Sequence, residues 1–140
     1  MGIAQNNVIA GNIIAIAFAK SAGKTPEDFG KFNADLQAST WKPRVKTIAQ
    51  LVEGIHILGQ LNPTFEMEII NESETLVKGK LKGTGEPYVK FWQDPGVTSE
   101  EYNRFWGKLW ETIADHVGFK YEQKVEGEWI YFTVTEKKDN

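Results

Sequence analysis

Apolar positions along the 140-residue chain follow two periods, and the switch between them divides it. Up to residue 62 the spacing is helical. Residues 8–21, VIAGNIIAIAFAKS, hold so much Ile and Ala that the first helix has little polar surface, which predicts burial nearly all round. Gly23 stops it. In TPEDF, Thr25 is a cap, Pro26 suits the first helical position, and Glu27 and Asp28 suit the positive end of the helix dipole. Phe29, Phe32 and Leu36 then share one face of a second helix ending near Ser39. Pro43 marks the start of a third, with Val45, Ile48, Leu51, Val52, Ile55 and Leu58 in one stripe, closed by Gly59 and Asn62-Pro63.

The period then shortens to two. Phe65, Met67 and Ile69 alternate with Glu66, Glu68 and Ile70, as in a half-buried strand. NESE at 71–74 is a turn. In the returning strand Val77, Gly79 and Leu81 oppose Lys78, Lys80 and Lys82. GTGEP breaks the chain, and YVKFW at 88–92 reads as a short strand. Thr98 and Glu101 have capping-box spacing before an apolar helical run that Gly118 ends. FKYEQKV and EWIYFTV alternate around Glu126-Gly127, a tight hairpin.

The order is three helices, two or three strands, one helix and two strands. It predicts one α+β domain over residues 1–140: three N-terminal helices, and an antiparallel sheet of four to five strands with a helix inserted before the C-terminal hairpin. A chain of this length buries roughly 68% of its unfolded surface, enough for a core without staples.

Composition narrows the chemistry. The absence of cysteine removes disulfides, thiolate metal sites and cysteine nucleophiles, and fits a cytoplasmic protein. Net charge is -3. Residues 1–60 carry six Lys/Arg against four Asp/Glu and residues 61–140 ten against fifteen, so no nucleic-acid partner is expected. The apolar run at 8–19 falls short of the roughly 20 residues that span a bilayer, and MGIAQNN lacks the positive charge of an export signal. No phosphate loop, nucleophile elbow or HExxH is present, so neither a catalytic residue nor a cofactor is assigned. Glu53 and His56 form one Glu-x-x-His pair, half of a carboxylate-bridged metal set; His116 has Thr112 and Ile113 where its partner would stand. No metal is expected.

Aromatic placement carries the functional expectation. Tyr102, Trp106, Leu109, Ile113 and Val117 share one helix face, with Trp110 on one margin and Phe105 and His116 on the other. Phe91 and Trp92 precede this helix. Trp129 and Tyr131 occupy one face of the last strand, and Ile130, Phe132 and Val134 the other. Both faces should therefore be covered, one by the core and the other by helices, a ligand or a second chain. Trp92, Tyr102, Trp106, Trp110 and Tyr131, with His56 or His116 as a polar anchor, are the candidate lining of a pocket for a small apolar or aromatic molecule. Two other readings stay open: a small hydrolase-like enzyme, and a scaffold that forms a homodimer through the N-terminal helix and the aromatic faces.

A strand pair, an irregular stretch, an aromatic helix ending in glycine and a closing hairpin follow one another here. The last part, EEYNRFWGKLWETIADHVGFKYEQKVEGEWIYFTV at 100–134, is about a quarter of the chain. This arrangement resembles the 4-vinyl-reductase-like small-molecule-binding domains and is similar to the related L-2-amino-thiazoline-4-carboxylic acid hydrolases. The resemblance implies an α+β fold, often dimeric, with a hydrophobic pocket between helices and sheet. Many such domains place cysteines near the start of this helix and in the closing hairpin. Here Trp92-Gln93-Asp94 and residues 123–129 occupy those regions.

Overall fold

The computed structural model describes residues 3–84 and 96–137. Its elements run α1 (Ile3–Ser21), α2 (Pro26–Trp41), α3 (Ile48–Gly59), β1 (Glu66–Glu72), β2 (Leu76–Lys82), α4 (Ser99–His116), β3 (Phe119–Glu126) and β4 (Trp129–Glu136). The strands pair antiparallel in the order β1-β2-β4-β3. The α+β class and the helix placed before a C-terminal hairpin are thus observed. The strand expected at 88–92, and Trp92 with it, lie outside the described residues.

Three helices start on the same device. Thr25, Thr47 and Thr98 each accept a hydrogen bond from the backbone N–H three residues on, and Asp28, Gln50 and Glu101 reach back to the cap. The Thr47 box moves the start of α3 from Pro43 to Ile48, leaving Pro43 in the preceding turn. A proline is tolerated in a turn as readily as in a first helical turn, so on its own it misplaced the boundary. The last hairpin closes at Gly127-Glu128, one residue later than its sequence suggests, with Gly127 at φ +63°.

The core lies between the helices and one sheet face. Val77 and Leu81 of β2, Ile130, Phe132 and Val134 of β4 and Tyr121 of β3 point into it. Leu51 and Ile55 of α3, and Tyr102, Phe105, Trp106, Trp110 and Ile113 of α4, fill it from the other side. Gly79 leaves room for the Phe132 ring, which a side chain there would meet at 2.7 Å. α2 approaches α4 along the small residues Gly30, Ala34 and Ala38, which are all buried.

Three expectations of burial change. α2 buries Gly30, Ala34 and Ala38 and leaves Phe32 and Leu36 of its apolar face exposed, because only small residues fit the close approach to α4. α1 buries Ile9, Ile13 and Ile16 but turns Ile14 (56% exposed) and Phe18 (74%) outward. A helix in an outer layer has only one side against the core, whatever its composition. β1 is an edge strand with a bulge between Ile69 and Asn71, and Ile69 and Ile70 stay exposed. No helix among the described residues is long and apolar enough to cross a membrane.

Candidate functional site

The rings singled out in the sequence do not converge on one space. Tyr102, Trp106 and Trp110 are buried and pack on protein. Trp110 meets Trp41 edge-on at 5.6 Å and Trp106 at 5.9 Å; Tyr102 meets Phe105 edge-on at 5.4 Å. Phe105 stacks on Phe29 of α2 at 5.2 Å. Phe105 is therefore covered by α2 and Trp110 by Trp41. Tyr102 accepts a hydrogen bond from Asn12 Nδ2 (3.2 Å), and burial pushes its phenol up to about 12 against that bond.

Tyr131 lies on the opposite, outer sheet face, beside Trp129. Part of this face is covered from within the chain. The Lys80 and Lys82 ammonium groups stand 4.4 and 4.6 Å from the Trp129 ring centroid, held from behind by Glu68, Glu66 and Glu128. The two lysines cover Trp129, and their charge suits the ring's negative face. His56 sits on α3 with its ring 6.1 Å from Phe65. Of the six described candidates, Trp106 and Trp110 meet edge-on, and neither of them lines the groove that holds His116.

His116 belongs to an open groove of about 1010 Å³ that follows α4 between α2 and β3. α2 contributes Glu27, Lys31 and Asp35, one turn apart along a single face. α4 contributes Arg104, Lys108, Glu111 and Asp115 at helical spacing, with Gly107 and Thr112 between. β3 contributes Phe119, Tyr121 and Gln123, which alternate inward. The charges are paired. Arg104 Nε lies 3.1 Å from Glu27 Oε1, Lys108 3.2 Å from Glu111 and Lys137 2.6 Å from Asp115. At one end His116 Nε2 and Lys31 Nζ each stand 2.7 Å from Asp35. The Lys31 hydrogen bond first, and the His116 bond second, hold the Asp35 carboxyl below its ordinary value.

The groove floor is a polar seam between α4 and β3. Gln123 Nε2 donates to the Asn103 carbonyl (3.1 Å), and Tyr121 Oη donates to Gln123 Oε1 (2.7 Å). The amide fills the place of a side chain at Gly107, where a Cβ would lie 2.5 Å from Gln123 Nε2. Burial pushes the Tyr121 phenol well up, opposed by the Trp106 indole beside it. Asn103 Oδ1 and the Trp106 and Trp110 indole N–H groups are buried without a hydrogen-bond partner.

Sequence reasoning passed over Asp35, Gly107, Tyr121 and Gln123. Gly107 carried a signal, since glycine inside a strong helical pattern marks a close approach. The others come from different elements, and no spacing along the chain links them.

No protein-family profile matches the sequence, and neither does any curated protein. Among solved structures, the fold is similar to a mutant of the Fe(II) unliganded H-NOX protein from K. algicida. The TM-score is 0.50 at 10% identity, covering 81% of this chain and 62% of that one. The unmutated protein gives 0.47 at 12% identity, covering 81% and 60%. The chain thus spans about three-fifths of the length of those proteins, and the likeness is one of fold. Those proteins are described with Fe(II). Among the described residues here, no group of three or more His, Cys, Asp or Glu is placed to hold a metal ion.

Proposed function

We propose that this chain is a small-molecule-binding domain of the sensory kind, and that its ligand sits in the groove along α4. The observation that carries this reading is the groove itself. Its volume is at the upper end of the range for small-molecule sites, about 300–1,000 Å³. Phe119 and the lysine and arginine stems offer apolar walls, and the paired charges at both ends orient a polar group. A small aromatic molecule with one polar substituent fits that lining. The H-NOX-like fold is in keeping with a small-molecule-binding domain of the sensory kind. Bound in the groove, the ligand would touch α2 and α4 at the His116–Asp35 bond and so act on the packing of the two helices.

A hydrolase-like reading has less support. Thr112 is the lining hydroxyl on the same helix turn as His116, and it donates to the Lys108 carbonyl (2.8 Å). A homodimer through the N-terminal helix would use the outward Ile14 and Phe18; sedimentation as a monomer at micromolar concentration removes that idea.

The test of the groove is titration with indole-3-carboxylate and related aromatic acids, followed by ¹⁵N–¹H spectra. The expected shifts cluster on residues 104–123 and on Asp35. Shifts confined to other surfaces, or none at millimolar probe, overturn the proposal.

A further inference from the structure

We infer that the notch over Gly107 is a recognition site for a primary carboxamide, filled in this state by the chain's own Gln123. The inference deepens the groove reading and rests on it.

The side chain in the notch shows what the notch reads. Its oxygen accepts from the Tyr121 hydroxyl (2.7 Å) and its nitrogen donates to the Asn103 carbonyl (3.1 Å). These two partners distinguish an amide from its relatives. A carboxylate would accept from Tyr121 but set an anion against the Asn103 carbonyl, and an ester or tertiary amide has no N–H to give. A hydrocarbon would leave both partners unsatisfied. Gly107 sets the depth: a Cβ would lie 2.5 Å from the amide nitrogen and 2.7 Å from its carbon. Glycine is an unfavourable choice inside a helix, and here its missing side chain is the space the amide occupies.

Two further features make the site more than a packing bond. Asn103 Oδ1 is buried with no partner. It is an acceptor left over on the residue whose carbonyl Gln123 already uses, so the polar set is larger than Gln123 satisfies. Gln123 is only half-buried and lines the groove, so rotation about its side-chain torsions carries the amide out without moving β3. A ligand with an aromatic body and a primary carboxamide would lay the body along the groove toward Phe119 and put its amide where that of Gln123 now lies. Gln123 is then a built-in competitor.

The experiment compares wild type with Gln123→Ala, using benzamide as probe and benzoate, N,N-dimethylbenzamide and toluene as controls, by calorimetry. The expected result is benzamide binding to Gln123→Ala about tenfold or more tighter than to wild type. None of the three controls should gain, and adding Gly107→Ala should abolish the gain. Equal benzamide affinity in both proteins, or an equal gain for toluene, overturns the inference, the latter because it shows only a cavity. Should Gln123→Ala fail to fold, Gln123→Asn withdraws the amide by one methylene and is scored in the same way. If the aromatic-acid titration still maps to the groove, failure here removes the amide notch alone. If both fail, the groove reading goes too.

Discussion

His116 Nε2 lies 2.7 Å from Asp35 Oδ1, joining the last residue of α4 to the middle of α2 across one end of the groove. Lys31 holds the other carboxylate oxygen, so a single carboxylate joins an ammonium on its own helix to an imidazole from α4.

This tie makes stability depend on acid. The folded state holds the Asp35 carboxyl below its ordinary value of 3.8. A depressed carboxylate contributes stability that is fully present above its unfolded pKa and is lost as pH falls through the folded one. The melting temperature of wild type should therefore fall toward that of Asp35→Asn below about pH 4. Thermal unfolding of both from neutral pH into acid is the measurement; a gap between them that widens in acid contradicts the tie.

Gly30 predicts a penalty against helix propensity. Its Cβ would meet the Phe105 carbonyl oxygen at 2.7 Å and the Leu109 nitrogen at 3.1 Å, both backbone atoms that cannot swing aside. Alanine should gain about 1 kcal/mol of helix propensity and still destabilise the protein, because overpacking costs about 1–3 kcal/mol and here forces two helices apart. Urea unfolding of Gly30→Ala would show a lower midpoint; a higher midpoint would mean the helices are free to separate.

Trp110 is fully buried between Trp41 and Trp106. Trp110→Ala should lose about 3–5 kcal/mol, the range for a large aromatic removed from a core. The same substitution at Trp129, on the outer sheet face, should cost much less. Chemical denaturation of the two variants side by side decides whether the ring is core, as found, or the wall of a cavity that relaxes without loss.

Glu101 separates two roles in one side chain. Burial raises its pKa, but the Lys20 ammonium (2.9 Å) and the Thr98 cap outweigh burial and leave it lowered overall. Glutamine keeps the capping box and loses the ion pair to α1; alanine loses both. Stability should rank wild type, then Gln, then Ala, with the second step about 0.5–2 kcal/mol, the value of a cap. Equal stability of the Gln and Ala variants would show that the cap contributes nothing.

Much of this architecture could be read from the chain. Thr98 and Glu101 announced the start of α4, and Gly118 at φ +89° ended it as expected. The alternation in β2 and β4 gave the inward faces correctly. These features are local, set by hydrogen bonds and side-chain direction within a few residues. The Thr47 and Gln50 box was equally legible, but Pro43 drew attention away from it.

The candidate site was hardly legible. Periodicity placed the α4 rings on one face but could not say what covers them. Trp41 closes over Trp110 because α2 ends about two turns beyond Ala34, and nothing near Trp110 in sequence indicates it. The sequence alone determined which residues are helical and which are extended, and the inward faces of β2, α4 and β4, because caps and periodicity act over a few residues; the packing decided the inward faces of α1, α2 and β1, where Phe18, Phe32, Leu36 and Ile70 stay exposed. Only the tertiary structure decided that the rings are core, that lysine stems cover Trp129, and that Asp35, His116, Gly107 and Gln123 share one groove. Those relations join groups 16 to 81 residues apart, and only the packing of α2 and β3 against α4 brings them together.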